Sequence, residues 1–281
     1  MRRGVSAVVL LAALGLGALT AVVVAAGDWP SATTSGPQSG SEQDPQELVG
    51  SWQVMGDAAI DGREVRLHAG GRVSLREGAC VLGGSWSATM SGLMIMSISS
   101  ATNECRDLED AFDYFQGVQR YELLADAVRL DTVSGGTVAV LSGHTPPADP
   151  DDLLVPRDPA PELPVGVHAP SVQVLTASRW IPVETVGSDR WPDRTRPQAS
   201  FAVSGRWSGY DGCNGLGDRW SMDVETGEWL AGIGAQTEIG CDNVDVSGVV
   251  GPARAVGLDG NELVFYGSDG VETGRLVADD G

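Results

Sequence analysis

The sequence predicts a β-rich α+β protein with two small domains, each an antiparallel β-sheet with a short helix packed on it. Four cysteines form two pairs, and each pair encloses a tryptophan and a threonine in the same order. Short apolar or alternating segments, separated by turn residues such as Gly70-Gly71 and Gly135-Gly136, indicate strands joined by hairpins. The repeat of one cysteine pattern therefore predicts two copies of one fold.

The first domain is predicted at residues 47–143. One helix is indicated by Leu108, Phe112 and Phe115, whose spacings of four and three place them on one helical face. The predicted strands are centred on Val65–Leu67, Val73–Leu75, Leu93–Ile98, Tyr121–Leu123, Val128–Leu130 and Thr137–Leu141.

The second domain is predicted at residues 171–281, with Trp180 near its start and a final hairpin around Gly267–Gly270. Its helical signal is weak, because Val246, Val249 and Val250 allow only a short turn before Gly251-Pro252. Residues 144–170, which contain eight prolines, are predicted to form an extended, semi-stiff linker between the domains.

Residues 1–27 are predicted to be a signal peptide or a transmembrane anchor. Arg2 and Arg3 precede an uncharged, mostly apolar segment from Val5 to Ala26, long enough to span a bilayer and long for a signal peptide. Val24-Ala25-Ala26 is an acceptable cleavage site, so both alternatives stay open. Residues 28–46, rich in Ser, Gly, Pro and Gln, are predicted to be a disordered stalk. Either alternative predicts an extracytoplasmic protein, secreted or anchored by a single span.

An even number of cysteines in an exported protein favours disulfide bonds. Four cysteines alone do not fix the pairing, but the repeat favours Cys80–Cys105 and Cys213–Cys241. A metal site built from all four thiolates is the alternative, and it lacks a C-x-x-C spacing.

The charge of the chain excludes several classes of partner. The formal net charge is −20, and every basic residue is arginine, a bias typical of high-GC genomes such as those of actinobacteria. Such a negative chain is unsuited to nucleic acids and to anionic lipid surfaces. Solubility outside the cell explains the charge most simply, with calcium or a basic partner as the alternative.

The second domain resembles the META domain, the HslJ-like family of small bacterial envelope proteins. The resemblance depends on the turn Asp211-Gly212-Cys213-Asn214-Gly215 and on the segment Thr237–Cys241, and it covers about residues 172–278. The first domain is a more distant copy, since Gly78-Ala79-Cys80 lacks the asparagine and Thr102–Cys105 is one residue shorter. The resemblance implies a compact β-sheet domain with a helix packed on it. Family members are connected with heat shock, drug tolerance and virulence, without an agreed activity, so the resemblance implies no catalytic residue.

The residues of the turn are predicted to have a structural role. Gly212 and Gly215 would allow positive φ or close backbone approach, and Asn214 would bond to nearby backbone. Thr237 belongs to the same motif. The alternative is a turn that presents backbone N–H groups to an anion. No cofactor is predicted, because the sequence matches no nucleotide-binding glycine motif.

No catalytic or metal site is predicted. The chain contains no G-x-S-x-G or H-E-x-x-H sequence. His68 is expected at a surface turn, and His144 and His168 are expected to be solvated in the linker. Asp149–Asp152 is expected to be solvated as well, although its oxygens are suited to calcium. Asp242, Asn243 and Asp245 are expected to cap a helix rather than bind a metal.

Tryptophans are unusually frequent, with eight against four phenylalanines. Trp52, Trp86, Trp180 and Trp220 occupy positions that repeat between the domains, which predicts packing in the two cores. Trp191, Trp207 and Trp229 occur only in the second domain and would form a patch for a partner or ligand if they were exposed together.

We therefore expect a non-enzymatic, envelope-associated binding or stress-tolerance module. Its partner would be an envelope protein or a small ligand, and the membrane would be contacted only through the N-terminal segment. One alternative is a purely structural spacer, which would lack a concave apolar site in the second domain. The other alternative is a hydrolase that uses carboxylates not identifiable from the sequence.

Overall fold

The chain folds into two successive antiparallel β-sheets of eight strands each, accompanied by few helices. The structure, a computed structural model, describes residues 43–56, 60–102, 105, 114–149, 153–154, 157–188, 195–234, 237, 240 and 243–279. The predicted β-rich architecture with two sheet units is thus confirmed. The predicted N-terminal apolar helix lies outside the described residues.

The first sheet contains strands β1 to β8 in the order β5-β4-β3-β2-β1-β8-β7-β6. These strands are β1 (Gly50–Met55), β2 (Glu64–Leu67), β3 (Arg72–Glu77), β4 (Cys80–Ala88), β5 (Met94–Ala101), β6 (Arg120–Leu123), β7 (Ala127–Asp131) and β8 (Thr137–Thr145).

The second sheet contains strands β9 to β16 in the order β13-β12-β11-β10-β9-β16-β15-β14, which repeats the order of the first. These strands are β9 (Arg179–Pro182), β10 (Gln198–Phe201), β11 (Arg206–Tyr210), β12 (Gly215–Met222), β13 (Trp229–Ala231), β14 (Ala255–Asp259), β15 (Glu262–Tyr266) and β16 (Glu272–Ala278).

Both sheets close on themselves by equivalent hydrogen bonds between their two end strands. In the first sheet, the backbone N–H of Met94 donates to the carbonyl of Gln119 at 3.0 Å. In the second, the N–H of Trp229 donates to the carbonyl of Arg254 at 2.7 Å. The end strands of each sheet therefore pair with each other at one point, which covers part of their edges.

The turns repeat in the same detail. The backbone N–H of Trp86 donates to Gly71, and the indole N–H of Trp86 donates to the carbonyl of His68 at 3.0 Å. The backbone N–H of Trp220 donates likewise to Gly205, and its indole N–H donates to Ala202 at 3.1 Å. Each tryptophan therefore fastens the preceding hairpin turn of its own sheet.

Tryptophans also fill the two cores, as predicted. Trp52, Trp86, Trp180 and Trp220 are all buried. In the second core, Trp220 and Trp229 stack with ring centroids 5.6 Å apart. Phe201 and Phe265 meet the Trp229 ring edge to face at 5.5 Å, a favourable aromatic geometry. The interior of the second sheet is thus packed with rings.

The described helices are short. They comprise α1 (Val172–Ala177), α2 (Val246–Val250) and two 3₁₀ helices at Pro45–Leu48 and Val183–Thr185. The weak signal after Cys241 correctly predicted α2, which Asp245 caps by accepting a hydrogen bond from the N–H of Gly248 at 2.7 Å. The helix predicted in the first domain lies mostly outside the described residues. Phe115, at its end, is buried in a turn with φ of 62°.

The predicted stalk and linker both extend too far into structured chain. Gln43, placed in the stalk by sequence, donates its N–H to Met90 and accepts a hydrogen bond from Tyr121 Oη. In the linker, Leu163 and Val167 pack against the outside of β14 and β15. His168 exchanges backbone hydrogen bonds with Leu258. Burial of these few apolar side chains holds proline-rich chain against the sheet.

Among the described residues, no helix is both long enough and apolar enough to span a membrane. The segment predicted to be a signal peptide or an anchor lies outside those residues.

Candidate functional site

The sequence motif Asp211–Gly215 forms a turn organised by the Asp211 carboxylate. Asp211 Oδ1 accepts hydrogen bonds from the backbone N–H groups of Cys213, at 2.7 Å, and Asn214, at 2.5 Å. Asp211 Oδ2 accepts from the side-chain amides of Asn214, at 3.1 Å, and Asn243, at 2.7 Å. Burial alone would raise the pKa of Asp211, but these hydrogen bonds outweigh it and hold the pKa below its usual value.

Thr237 joins the same network. Its hydroxyl donates to Asn214 Oδ1 at 3.0 Å, and its N–H reaches the carbonyl of Gly215. Asp211 and Asn214 are both buried, so all of their interactions act inside the protein. The motif therefore joins three segments of chain. Sequence reasoning named Asn214 and Thr237 but missed Asp211 and Asn243 as the central pair.

Of the two glycines of the turn that were predicted to need positive φ or close backbone approach, Gly212 agrees with the prediction and Gly215 does not. Gly212 has φ of 106°, which a side chain would disfavour, as predicted. Gly215 has no positive φ, and no atom lies within 4 Å of the place that an added Cβ would take, so the prediction for Gly215 is wrong. Gly217 takes that role, because its φ is 154° and an added Cβ would lie 2.4 Å from the Trp207 carbonyl.

The first sheet contains the predicted disulfide between Cys80, at the start of β4, and Cys105. Beside it, Thr102 Oγ1 accepts a hydrogen bond from the N–H of Val81 at 3.1 Å. Cys213 is also disulfide-bonded. Its predicted partner, Cys241, lies outside the described residues.

The predicted tryptophan patch is wrong for two of its three members. Trp207 and Trp229 are 1% and 0% exposed, so neither is available to a partner. Trp207 donates its indole N–H to the Gly232 carbonyl at 3.1 Å, and Trp229 donates to Val250 at 2.9 Å. Trp191 lies outside the described residues. These rings are buried because large side chains fill the interior of the second sheet.

His68 and His144 contact different neighbours. His68 Nε2 lies 3.4 Å from Ser74 Oγ. His144 is exposed, as predicted, but it belongs to β8 rather than to the linker, and its ring stacks on Trp52 with centroids 4.3 Å apart. Asp149 is described and exposed, whereas residues 150–152 lie outside the described residues.

The two sheets meet through the outer faces of β5, β12 and β13. Leu93, Ile95 and Leu230 form a buried apolar group that we call the inter-sheet cluster. Around it, Ser221 Oγ donates to the carbonyl of Gln119, and Gln119 Nε2 donates to the carbonyl of Trp220 at 3.3 Å. These contacts hold the two sheets together as one packed body.

Beside this cluster lies a cavity of about 190 Å³, which we call the inter-sheet cavity. The first sheet, the second sheet and the linker all contribute to its wall. The lining residues are Ser85, Trp86, Ser87, Ile95, Met96, Ser97, Arg157, Asp218, Arg219, Gly232 and Ile233. The wall thus combines apolar side chains, hydroxyl groups and charges, as small-molecule sites do.

Three charged groups face the inter-sheet cavity. Burial raises the pKa of Asp218, an effect partly offset by hydrogen bonds from the Arg219 N–H and the Ser97 side chain. Burial, followed by repulsion from Arg254, lowers the pKa of Arg157 to about 10, so Arg157 stays cationic at neutral pH. Within the part of the chain that the structure describes, no group of three or more His, Cys, Asp or Glu side chains is placed to hold a metal ion.

The inter-sheet cavity is the candidate site, since the interior of the second sheet is filled by aromatic rings and its motif turn is satisfied internally. We found no match to this chain among protein-family models, curated proteins or solved structures.

Proposed function

We propose that this chain is a non-enzymatic, extracytoplasmic binding module whose ligand site lies where its two META-like halves meet. The observation that carries the proposal is the composite wall of the inter-sheet cavity, which both sheets and the linker build together. A ligand bound there would contact both halves and strengthen their association.

The disulfide between Cys80 and Cys105 supports an oxidising compartment, in agreement with an exported protein held at the envelope by its N-terminal segment. The META-like assignment is supported by the matching strand orders of the two sheets and by the network around Asp211 and Asn214. A role in stress tolerance would follow from binding an envelope component or a small ligand.

The alternative of a purely structural spacer is favoured by one observation. The predicted apolar site in the second domain is absent from the described structure, because Trp220, Trp229 and Phe265 fill that interior. A spacer would need no ligand, so direct binding measurements separate the two functions.

A fragment screen by ligand-observed NMR on the purified full chain tests the proposal. Ser87 lies on β4 at the cavity wall, so Ser87→Phe would place a ring in the cavity. Ser200 on β10 is also partly buried but lies outside the cavity, so Ser200→Phe is the matched control. We expect fragments that bind the wild type to lose at least about tenfold in affinity in Ser87→Phe alone, which corresponds to about 1.4 kcal/mol. Binding that survives in Ser87→Phe would place the site outside the inter-sheet cavity, and no binding to the wild type would favour the spacer.

A further inference from the structure

We infer that the inter-sheet cavity selects a small organic carboxylate, with its charged end at Arg157 and Arg219 and its apolar end against Ile95 and Ile233. This inference rests on the proposed function, because it names the class of ligand for the same site.

Among the described residues, the Arg157 guanidinium lacks a partner at the cavity wall. The structure shows no hydrogen bond or ion pair to this side chain within the described residues, although Arg157 is partly buried at the cavity wall. A guanidinium that gives up water without gaining a partner is costly, and a bound carboxylate would satisfy it with two parallel hydrogen bonds.

The charged side chains that line the inter-sheet cavity are more positive than negative. Two guanidinium groups, those of Arg157 and Arg219, line the wall with a single carboxylate, that of Asp218. Asp218 accepts hydrogen bonds from Ser97 and from the backbone of Arg219, and its charge is shared between the guanidinium groups of Arg219 and Arg206. Arg254 adds further positive charge near Arg157, although Asp158 and Glu228 act on Arg254 in the opposite sense.

This positive site is notable in a chain with a net charge of −20. Exposed charges that lie farther from the cavity than the Debye length, about 8 Å at physiological ionic strength, act on a ligand there only weakly. The charges at the cavity wall are screened less, because they are partly or fully buried. Local cations thus decide which ligand binds, while the acidic surface slows the approach of highly charged anions.

Part of the cavity wall is apolar. Ile95, which is 5% exposed, and Ile233, which is 55% exposed, both line the cavity. The hydroxyl groups of Ser85 and Ser87 stand on the neighbouring strand β4. An apolar surface beside cations favours a carboxylate that carries a hydrocarbon group over a fully hydrated inorganic anion.

Isothermal titration of the full chain with benzoate, benzamide, benzylamine and inorganic phosphate tests this inference. We expect benzoate to bind more tightly than the other three probes. Arg157→Gln should weaken benzoate at least about tenfold and leave benzamide unchanged. Asp218→Asn should strengthen benzoate, because it removes the negative charge from the wall. Arg76→Gln, at an exposed position of β3 that does not line the cavity, is the matched control and should change nothing.

The outcomes separate the two proposals. If benzamide binds as tightly as benzoate and Arg157→Gln has no effect, the binding function stands and the selection of carboxylates is overturned. If phosphate binds more tightly than benzoate, the apolar end of the site is overturned. If none of the four probes binds, both this inference and the proposed site fail. Should Arg157→Gln prove unfolded by circular dichroism, Asp218→Asn decides the question by the sign of its effect.

Discussion

The Asp211 carboxylate accepts a hydrogen bond of 2.7 Å from the side-chain amide of Asn243, across 32 residues of chain. This bond ties the turn before β12 to the segment that leads into α2. Because Asp211 also accepts two backbone N–H groups, one carboxylate fixes the turn and its distance from the helix.

Replacing Asp211 should destabilise the protein strongly. Asp211→Asn would turn one acceptor into a donor that faces the donors of Cys213, Asn214 and Asn243. Hydrogen bonds to charged groups contribute about 1.5–3 kcal/mol each, so we expect a loss of at least about 3 kcal/mol. Urea unfolding measures it. Asp269→Asn is the control, since Asp269 Oδ1 accepts one exposed hydrogen bond, from Val271. Equal losses in the two variants would contradict a special role for Asp211.

Asp211 should also make folding sensitive to acid. Its pKa is lower in the folded protein than its usual value, so it contributes stability at neutral pH. That contribution is lost as the pH falls from about 4 through the folded pKa. The difference in unfolding free energy between wild type and Asp211→Asn should therefore shrink in this range. Urea titrations at successive pH values test this, and a pH-independent difference would contradict it.

Substitution by alanine should lower stability at Gly217 but not at Gly215. In Gly217→Ala the new Cβ meets the Trp207 carbonyl at 2.4 Å with φ of 154°, so strain or a backbone shift must follow. We expect a loss of about 1–3 kcal/mol. In Gly215→Ala nothing lies within 4 Å of the Cβ, and stability should change by no more than about 0.5 kcal/mol. Thermal unfolding of both variants measures these changes in stability. A larger loss of stability in Gly215→Ala than in Gly217→Ala would contradict the role assigned to Gly217.

Removing the disulfide of the first sheet should lower stability by about 3 kcal/mol, because its sequence separation of 25 residues closes a loop of moderate size. The double variant Cys80→Ser and Cys105→Ser, compared with wild type in oxidising buffer, measures this loss. Non-reducing peptide mapping of the wild type serves as its control. Peptides joining Cys80 to Cys105 and Cys213 to Cys241 are expected, and a peptide joining Cys80 to Cys213 would contradict the predicted pairing.

The inter-sheet cluster should couple the unfolding of the two sheets. Leu230 is fully buried between them, so Leu230→Ala should cost about 2–5 kcal/mol. Since the lost contacts lie between the sheets, a single unfolding transition should separate into two in calorimetry. Val203→Ala, at a side chain 61% exposed, is the control and should keep one transition. A single, merely lowered transition for Leu230→Ala would argue against this coupling.

The sequence predicted the strands and the four repeated tryptophans because alternation and local turns leave strong signals. The sequence also contains a pattern that indicates the contact between the sheets. Leu93-Met94-Ile95-Met96 is apolar at every position, and such a run predicts a strand buried on both faces. The structure places Met94 and Met96 in the first core and Ile95 in the inter-sheet cluster.

Other features leave no local signal. Asp211 and Asn243 are far apart in sequence, so only the folded chain reveals their bond. The proline-rich composition of the linker does not indicate that Leu163 and Val167 pack against the second sheet. Arg157 belongs to the same segment, so the inter-sheet cavity could not be assembled from the sequence.

Ile95 and Leu230 follow directly after Met94 and Trp229, the two residues whose N–H groups close their respective sheets. They therefore hold the same position in each half, and they pack against each other. Contact between like positions is the hallmark of a two-fold, isologous pairing. This contact resembles the centre of a homodimer interface, and a protein with a single copy of this fold would be expected to self-associate through the same strand.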